Sequence, residues 1–197
     1  MTLNLLIAGV GGQGTVLASK LIATAAIKKG FDVRTTETIG MAQRGGSVFG
    51  HVRIGKNILS PLIPIGKANA LIAFEPAEAV RQMMYMGNDS TILVCDNAIK
   101  PIGDSGSTYE GAVMIDFLKK NAQKLIIING QLLFEQAAAA GCSAKTLNVS
   151  LLGAAAQNGI FPFPAESIKD VLPEIIPQRF LEMNLKAFEL GQKLVNK

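Results

Sequence analysis

The sequence of 197 residues contains no tryptophan, two tyrosines, one histidine and two cysteines. Each shortage excludes something. With so few tyrosines and no tryptophan, the chain has little on which the bases of a single-stranded nucleic acid could stack. Cys95 and Cys142 stand alone, outside any CxxC pair. A disulfide framework, an iron–sulfur cluster and a structural zinc site therefore all lack their ligands, and two isolated thiols read as small buried apolar residues. His51 is the single histidine; one imidazole cannot build a metal site, and on a strand of mixed polarity it reads as structural or surface. No residue stands out as a catalytic group or metal ligand. No apolar run reaches the ~18 residues of a membrane span. The opening stretch Leu3–Val10 lacks the basic flank and small-residue cleavage site of a secretory signal. Charge is sparse too: 17% of residues are charged and the net charge is +4. Apart from Arg34, Arg44, Arg53 and Lys56 the basic residues are scattered, and nothing resembles a nucleic-acid stripe or a membrane-binding patch. The expectation is a soluble, cytoplasmic chain.

What is abundant is apolar: 49% of the residues, enough for a sizeable core in one domain spanning 1–197. Leu3–Ala8 is a short continuous apolar run, as in a strand buried on both faces of a parallel sheet. Thr15–Lys29 repeats apolar residues at helical spacing and ends on Lys28-Lys29-Gly30, a basic last turn followed by glycine. Phe31–Thr36 predicts the next strand. Ser47–Ile54 has strand character and Gly55-Lys56-Asn57 a turn, so an antiparallel excursion or edge hairpin fits here. Ala70–Glu75, a proline-initiated helix from Pro76 to about Met86, and the strand Thr91–Cys95 restore the α/β alternation. Asp96–Tyr109 reads as loop. A helix at about Gly111–Asn121, a strand at Leu125–Ile128, a helix over Ala137–Ala140 and a buried helix at Leu147–Ala156 come next. Phe161–Pro164 breaks the chain, and residues 165–197 read as two helices interrupted at Pro173–Pro177. The fold class is α/β, Rossmann-like: a mostly parallel sheet with helices on both faces and an antiparallel edge hairpin.

Gly9-Val10-Gly11-Gly12-Gln13-Gly14 matches G-x-G-x-x-G directly after a strand and at the start of a helix, the context this motif requires. Backbone N–H groups at a helix N-terminus favour a phosphate or carboxylate. A tight crossover without ligand is the competing reading. Glu37 ends the second strand, where a dinucleotide enzyme places its ribose-binding acid. Beyond it lies a glycine-rich loop, Met41-Ala42-Gln43-Arg44-Gly45-Gly46. The expected binding residues are therefore Gly9, Gly11, Gly12, Gln13, Gly14, Glu37, Gln43, Arg44, Gly45 and Gly46. Arg44 serves an anion, a surface salt bridge or a contact with another protein. Glu75, Glu78 and Asp96 stand after strand ends and could line the same crevice, although acids at helix starts are ordinary dipole partners.

Three segments taken together, GVGGQG (9–14), TETIGMAQRGGSVFGHVR (36–53) and SPLIPIGKANALIAFEPAEAVR (60–81), closely resemble the gamma-type subunits of 2-oxoacid:ferredoxin oxidoreductases. Within that group they are most similar to the beta subunit of the indolepyruvate enzymes, and the resemblance spans most of the chain. It implies a task. Such enzymes oxidatively decarboxylate a 2-oxoacid, form an acyl-CoA and reduce ferredoxin, with thiamine diphosphate and iron–sulfur clusters carried by other subunits or domains. Gly103-Asp104-Ser105-Gly106 is no adequate substitute for a thiamine diphosphate motif. The resemblance thus implies a small subunit inactive alone, a large thiamine- and cluster-bearing partner, and ferredoxin reached through the complex. No cofactor is held tightly on this chain, and coenzyme A is first in line for the glycine loops. Gamma subunits of pyruvate, 2-oxoglutarate or branched-chain 2-oxoacid enzymes are the alternative. A stand-alone NAD or flavin enzyme built on Gly9–Gly14 and Glu37, or a nucleotide-sensing module, is the alternative from another class. Homo-oligomer formation by the isolated chain stays open.

Overall fold

The opening apolar run does become a buried central strand. In the computed structural model, which describes residues 2–38, 40–99 and 109–194, β1 (Leu3–Val10) is buried from Leu5 onward. It leads into α1 (Thr15–Lys28), whose end is closed by Lys29 and by Gly30 at φ +81°. β2 (Asp32–Glu37) and β3 (Ser47–Gly55) pair as an antiparallel hairpin. β4 (Ala68–Ala73), α2 (Pro76–Arg81), β5 (Met86–Cys95), α3 (Gly111–Asn121) and β6 (Lys124–Ile128) come after it. The chain then runs through α4 (Gly130–Ala139), α5 (Leu147–Gln157), α6 (Glu166–Ile175) and α7 (Gln178–Leu194).

The six strands lie in the order β2-β3-β1-β4-β5-β6. β1, β4, β5 and β6 pair in parallel, whereas β3 is antiparallel to both β1 and β2. The hairpin thus occupies one end of the sheet with β2 outermost, and β3 stands between the first two strands. Because β3 runs against β1, its first residue sits beside the last of β1: Val10 pairs with Ser47. This register is what brings the two glycine loops to one edge.

Side chains alternate between the sheet faces. Leu5 and Ile7 enter a core cluster with Leu21 and Ile22 of α1, Leu151 of α5, Ile168 of α6 and Phe188 of α7. Leu6 and Ala8 enter a second cluster with Ala79 of α2 and Leu118 of α3. Helices therefore cover both faces. α5 and α7 touch through their backbones: a Cβ on Gly191 would collide with the Ser150 carbonyl, and one on Gly153 would sit 2.9 Å from Phe188 C.

Several boundaries differ from the sequence expectation. The helix from Pro76 stops at Arg81, and a short 3-10 turn at Met83–Tyr85 returns the chain to β5. β5 then starts at Met86, which pairs with Ala68 across an irregular register, five residues ahead of the β-prone Thr91–Cys95. The helix over 137–140 begins earlier, at Gly130, because the Asn129 side chain accepts a hydrogen bond from Leu132 N at 2.8 Å and caps it. α6 runs through Pro173 to Ile175 before it breaks. Residues 100–108, with Gly103-Asp104-Ser105-Gly106, lie outside the described residues.

Candidate functional site

Gly11-Gly12-Gln13-Gly14 forms the turn from β1 into α1, and the second glycine loop lies directly against it. Gly11 N donates to Gly46 O at 2.8 Å, and Gly45 N donates back to Gly11 O at 3.2 Å. Only glycine fits at position 11: a Cβ there would meet the Ala42 carbonyl oxygen and lie 2.6 Å from Gln43 O. The second loop is fastened from its other side as well. Ser47 Oγ donates to Glu78 Oε2 at 2.5 Å, and Gln43 Nε2 donates to Thr38 O at 3.1 Å.

Beside the paired loops opens a cleft of about 340 Å³, on the sheet face that carries α1. One wall is the start of α1. Its N-cap, Gly14, has left-handed backbone (φ +84°) and supplies no side-chain cap, and no acid occupies the first turn. The N–H groups of a helix's first turn have no partners within the helix, and the helix dipole adds positive potential there. The opposite wall is Glu37 and Thr38 at the end of β2 and Val48–Gly50 on β3.

Of the residues expected from sequence, Gly11, Gly12, Gly14, Glu37 and Gln43 line this cleft; Gly9, Gln13, Arg44, Gly45 and Gly46 do not. Gln13 works as a brace. Its Oε1 accepts from Val10 N at 2.6 Å, and its Nε2 donates to Phe74 O at 3.0 Å, tying the end of β1 to the end of β4. Arg44 is exposed and makes no ion pair among the described residues. Gly45 and Gly46 hold the loop by their backbone.

The strand-end acids sit elsewhere. Glu75 and Glu78 are fully buried and do not line the cleft. Glu75 caps α2 by accepting from Glu78 N at 3.0 Å, and it also accepts from the Tyr109 hydroxyl. Burial pushes its carboxyl up to about 7 against the opposing effect of backbone hydrogen bonds, and the neighbouring Glu78 adds to the rise. Burial raises Glu78 too, countered by Ser47 and the Arg81 guanidinium. Asp96 Oδ1 accepts from Gly130 N at 2.7 Å, at the start of α4. His51 is buried and its Nδ1 accepts from Ile63 N at 3.1 Å, a structural contact; burial lowers its pKa. Cys95 and Cys142 are buried in separate clusters, and burial drives the Cys95 thiol up to about 11.

Several contributors carry no mark in the sequence motifs. Ser19, Thr38 and Gly50 line the cleft. Thr38 Oγ1 donates to Phe49 O and accepts from Phe49 N, which squares the hairpin wall. Asn148 of α5, nearly fully buried, donates to Gly14 O at 3.3 Å and backs the first loop. Gly50 carried a readable signal, because a lone glycine within a strand pattern marks close approach of other groups.

Residues 4–194 match the family described as Pyruvate ferredoxin/flavodoxin oxidoreductase. The chain belongs to this family. It is similar to the indolepyruvate oxidoreductase subunit IorB of Pyrococcus horikoshii, with 36% identity across 96% of this chain and 94% of the relative. The subunit of the same name from Archaeoglobus fulgidus is 37% identical, over 97% and 94% of the two chains. Among solved structures, the keto/oxoacid ferredoxin oxidoreductase gamma subunit from Geobacter sulfurreducens superposes with a TM-score of 0.69 at 20% identity, covering 98% of each chain. That structural likeness establishes the shared fold, a mixed sheet of six mostly parallel strands. No helix among the described residues is long and apolar enough to cross a membrane.

Proposed function

We propose that this chain is the small subunit of an indolepyruvate-type 2-oxoacid:ferredoxin oxidoreductase, and that it supports chemistry performed on a large cytoplasmic partner. The observation that carries this is the match to indolepyruvate oxidoreductase subunits along nearly the whole length of both chains. The partner supplies thiamine diphosphate, at which the 2-oxoacid is decarboxylated, and the clusters that pass electrons to ferredoxin. The residues of this chain do not fit a cluster. Its two thiols are buried in different clusters of the core, and four thiolates are the usual ligand set. Among the described residues no group of three or more His, Cys, Asp or Glu side chains could hold a metal.

The contribution of the chain is the cleft beside its paired glycine loops. It takes a phosphate-bearing ligand, with coenzyme A first in line as the acyl acceptor. The N–H groups of Gly12 and of the first turn of α1 are the donors for the phosphate, helped by about 0.3–1 kcal/mol of helix-dipole attraction. Gly11 N is not a donor, because Gly46 O already takes it. Arg44, exposed and outside the cleft, serves the contact with the large subunit.

Gel filtration of the chain with its large subunit tests this division of labour. Wild-type chain co-elutes with the partner. Arg44→Ala weakens co-elution while the assembled fraction keeps its affinity for coenzyme A in a calorimetric titration. An intact Arg44→Ala complex with lost affinity for coenzyme A would return Arg44 to the ligand site.

A further inference from the structure

The two faces of the sheet are covered unequally. On one face α1 packs over β2 and β3; on the other α2 packs over β1, β4 and β5. Phe49, His51 and Arg53 of β3 share that second face, and the connection from β3 to β4 lies over them. It forms no helix or strand, yet it is fastened. Arg53 Nη1 donates to Ser60 O at 3.0 Å and to Leu62 O at 3.3 Å. Ile63 N donates to His51 Nδ1 at 3.1 Å, and Leu62 N to Ser60 Oγ at 3.2 Å. Ile58 and Ile63 are buried, and Pro61 and Pro64 each have a fixed φ. What this held loop presents to solvent is apolar: Leu59 is 95% exposed, Leu62 60% and Ile65 63%. Met84 is exposed as well, and its carbonyl accepts from Gly66 N at 3.1 Å, beside Ile65. Along the loop run two adjoining hollows of about 200 and 510 Å³, which share His51 and Leu62; Phe49 lines the first and Tyr85 the second.

Single exposed apolar side chains are ordinary, but a cluster of them beside an aromatic-lined groove marks a protein contact. A loop fixed before docking also loses little conformational freedom on binding. The surroundings give the charge of the partner. Residues 38–74 contain no aspartate or glutamate but hold Arg44, Arg53, Lys56 and Lys67. Arg34 on β2 pairs in register with Arg53. Arg34, Lys56 and Lys67 are exposed and make no ion pair among the described residues. The two acids of the hairpin stand at the ends of β2: Asp32 accepts from Asn57 N at 2.7 Å, and Glu37 lines the far end of the smaller hollow. We propose that this groove is the docking surface for the large partner subunit, whose contacting segment is apolar and flanked by aspartate or glutamate. Leu59, Leu62 and Ile65 are the anchors, and the cations around them meet the partner's acids. The surface is continuous with the contact assigned to Arg44, because Thr38 lines the groove and its carbonyl holds Gln43, the neighbour of Arg44. This rests on the small-subunit reading above, and it goes further by naming the surface and the chemistry of what covers it.

Calorimetric titration of the full chain into the isolated large subunit tests the surface, with light scattering on the chain alone run beside it. Leu62→Asp and Ile65→Asp each weaken the association by about thirtyfold or more, as loss of an interface anchor does. Val113→Asp, at a comparably exposed apolar position on α3 outside the groove, leaves the affinity within about twofold of wild type. All three positions face solvent, and thermal melts confirm that the variants fold. Wild-type affinity falls as salt rises, and Lys67→Glu lowers it further and flattens that dependence. Wild-type binding that persists undiminished in both Leu62→Asp and Ile65→Asp overturns the docking surface and leaves the small-subunit reading standing. So does a Val113→Asp loss as large as theirs. Loss of a homodimer with partner affinity retained assigns the groove to a second copy of this chain and overturns the proposal. Affinity that rises with salt overturns the acidic partner segment. Failure of the wild-type chain to bind the large subunit overturns the small-subunit reading and the surface with it.

Discussion

Replacing Gly11 with alanine tests the joint between the two glycine loops. The added Cβ has no free space: it meets the Ala42 carbonyl oxygen and lies 2.6 Å from Gln43 O, and both obstacles are backbone. No rotamer change relieves them, so the loops must separate. Separation breaks the reciprocal bonds Gly11 N–Gly46 O and Gly45 N–Gly11 O, at about 0.5–1.5 kcal/mol each. Strain from overfilling a packed site adds about 1–3 kcal/mol. The expected loss is roughly 2–6 kcal/mol. For a chain of this size each 1 kcal/mol lowers the melting temperature by about 2–4 °C, so the fall is at least about 4 °C. Two companion variants grade the effect. Gly46→Ala brings a Cβ no closer than 3.0 Å to Ala42 Cα, and Gly12→Ala points into open space but at φ +102°. The first requires a small shift, and the second costs about 1–2 kcal/mol of backbone strain. Differential scanning calorimetry should rank Gly11→Ala as the most damaging of the three. A Gly11→Ala protein melting within about 2 °C of wild type would refute the joint.

The same geometry makes further outcomes testable. Gly191→Ala drives a Cβ into the Ser150 carbonyl where α5 and α7 touch; urea unfolding should show a loss of at least about 2 kcal/mol. Glu75 titrates higher in the folded chain, up to about 7, than its ordinary value of 4.5. Between those values the folded state therefore binds more protons than the unfolded state. Stability falls as pH rises through this window and levels off above it, and Glu75→Gln flattens much of the slope in urea midpoints taken from pH 5 to 8. Glu78, raised in the same direction, leaves a remainder. Cys95, pushed up to about 11 by burial, stays unmodified by iodoacetamide at pH 8 in the native protein and reacts after unfolding, as mass spectrometry would read.

The elements legible in the sequence were those whose local and tertiary demands agree. GVGGQG between an apolar run and a helical repeat placed the strand, turn and helix where they are observed, and Lys28-Lys29-Gly30 marked the end of α1. The early start of β5 was hidden because Gly87, Asn88 and Asp89 have poor strand propensity and are held there by pairing beside β4. The passage of α6 through Pro173 was hidden likewise, because a proline near a helix end lacks only one hydrogen bond and tertiary packing of Ile168, Val171 and Leu172 outweighs it. At the site, sequence pointed to the two loops and Glu37 but could not assign tasks among their residues. Gln13 and Arg44 are both polar within glycine-rich segments, yet one braces two strands and the other lies exposed outside the cleft. That difference depends on the insertion of β3 between β1 and β2. Ser19 had no sequence signal at all, since a serine in an amphipathic helix is ordinary until its neighbours are known.

A supporting subunit whose chemistry lies on a partner does nothing by itself. The direct measurement is viologen reduction with indolepyruvate, thiamine diphosphate and coenzyme A, run on the isolated chain, on the isolated large subunit and on the two combined. The chain alone should give no turnover, and only the combination full activity. Turnover by the chain alone, or a large subunit indifferent to its presence, would contradict it.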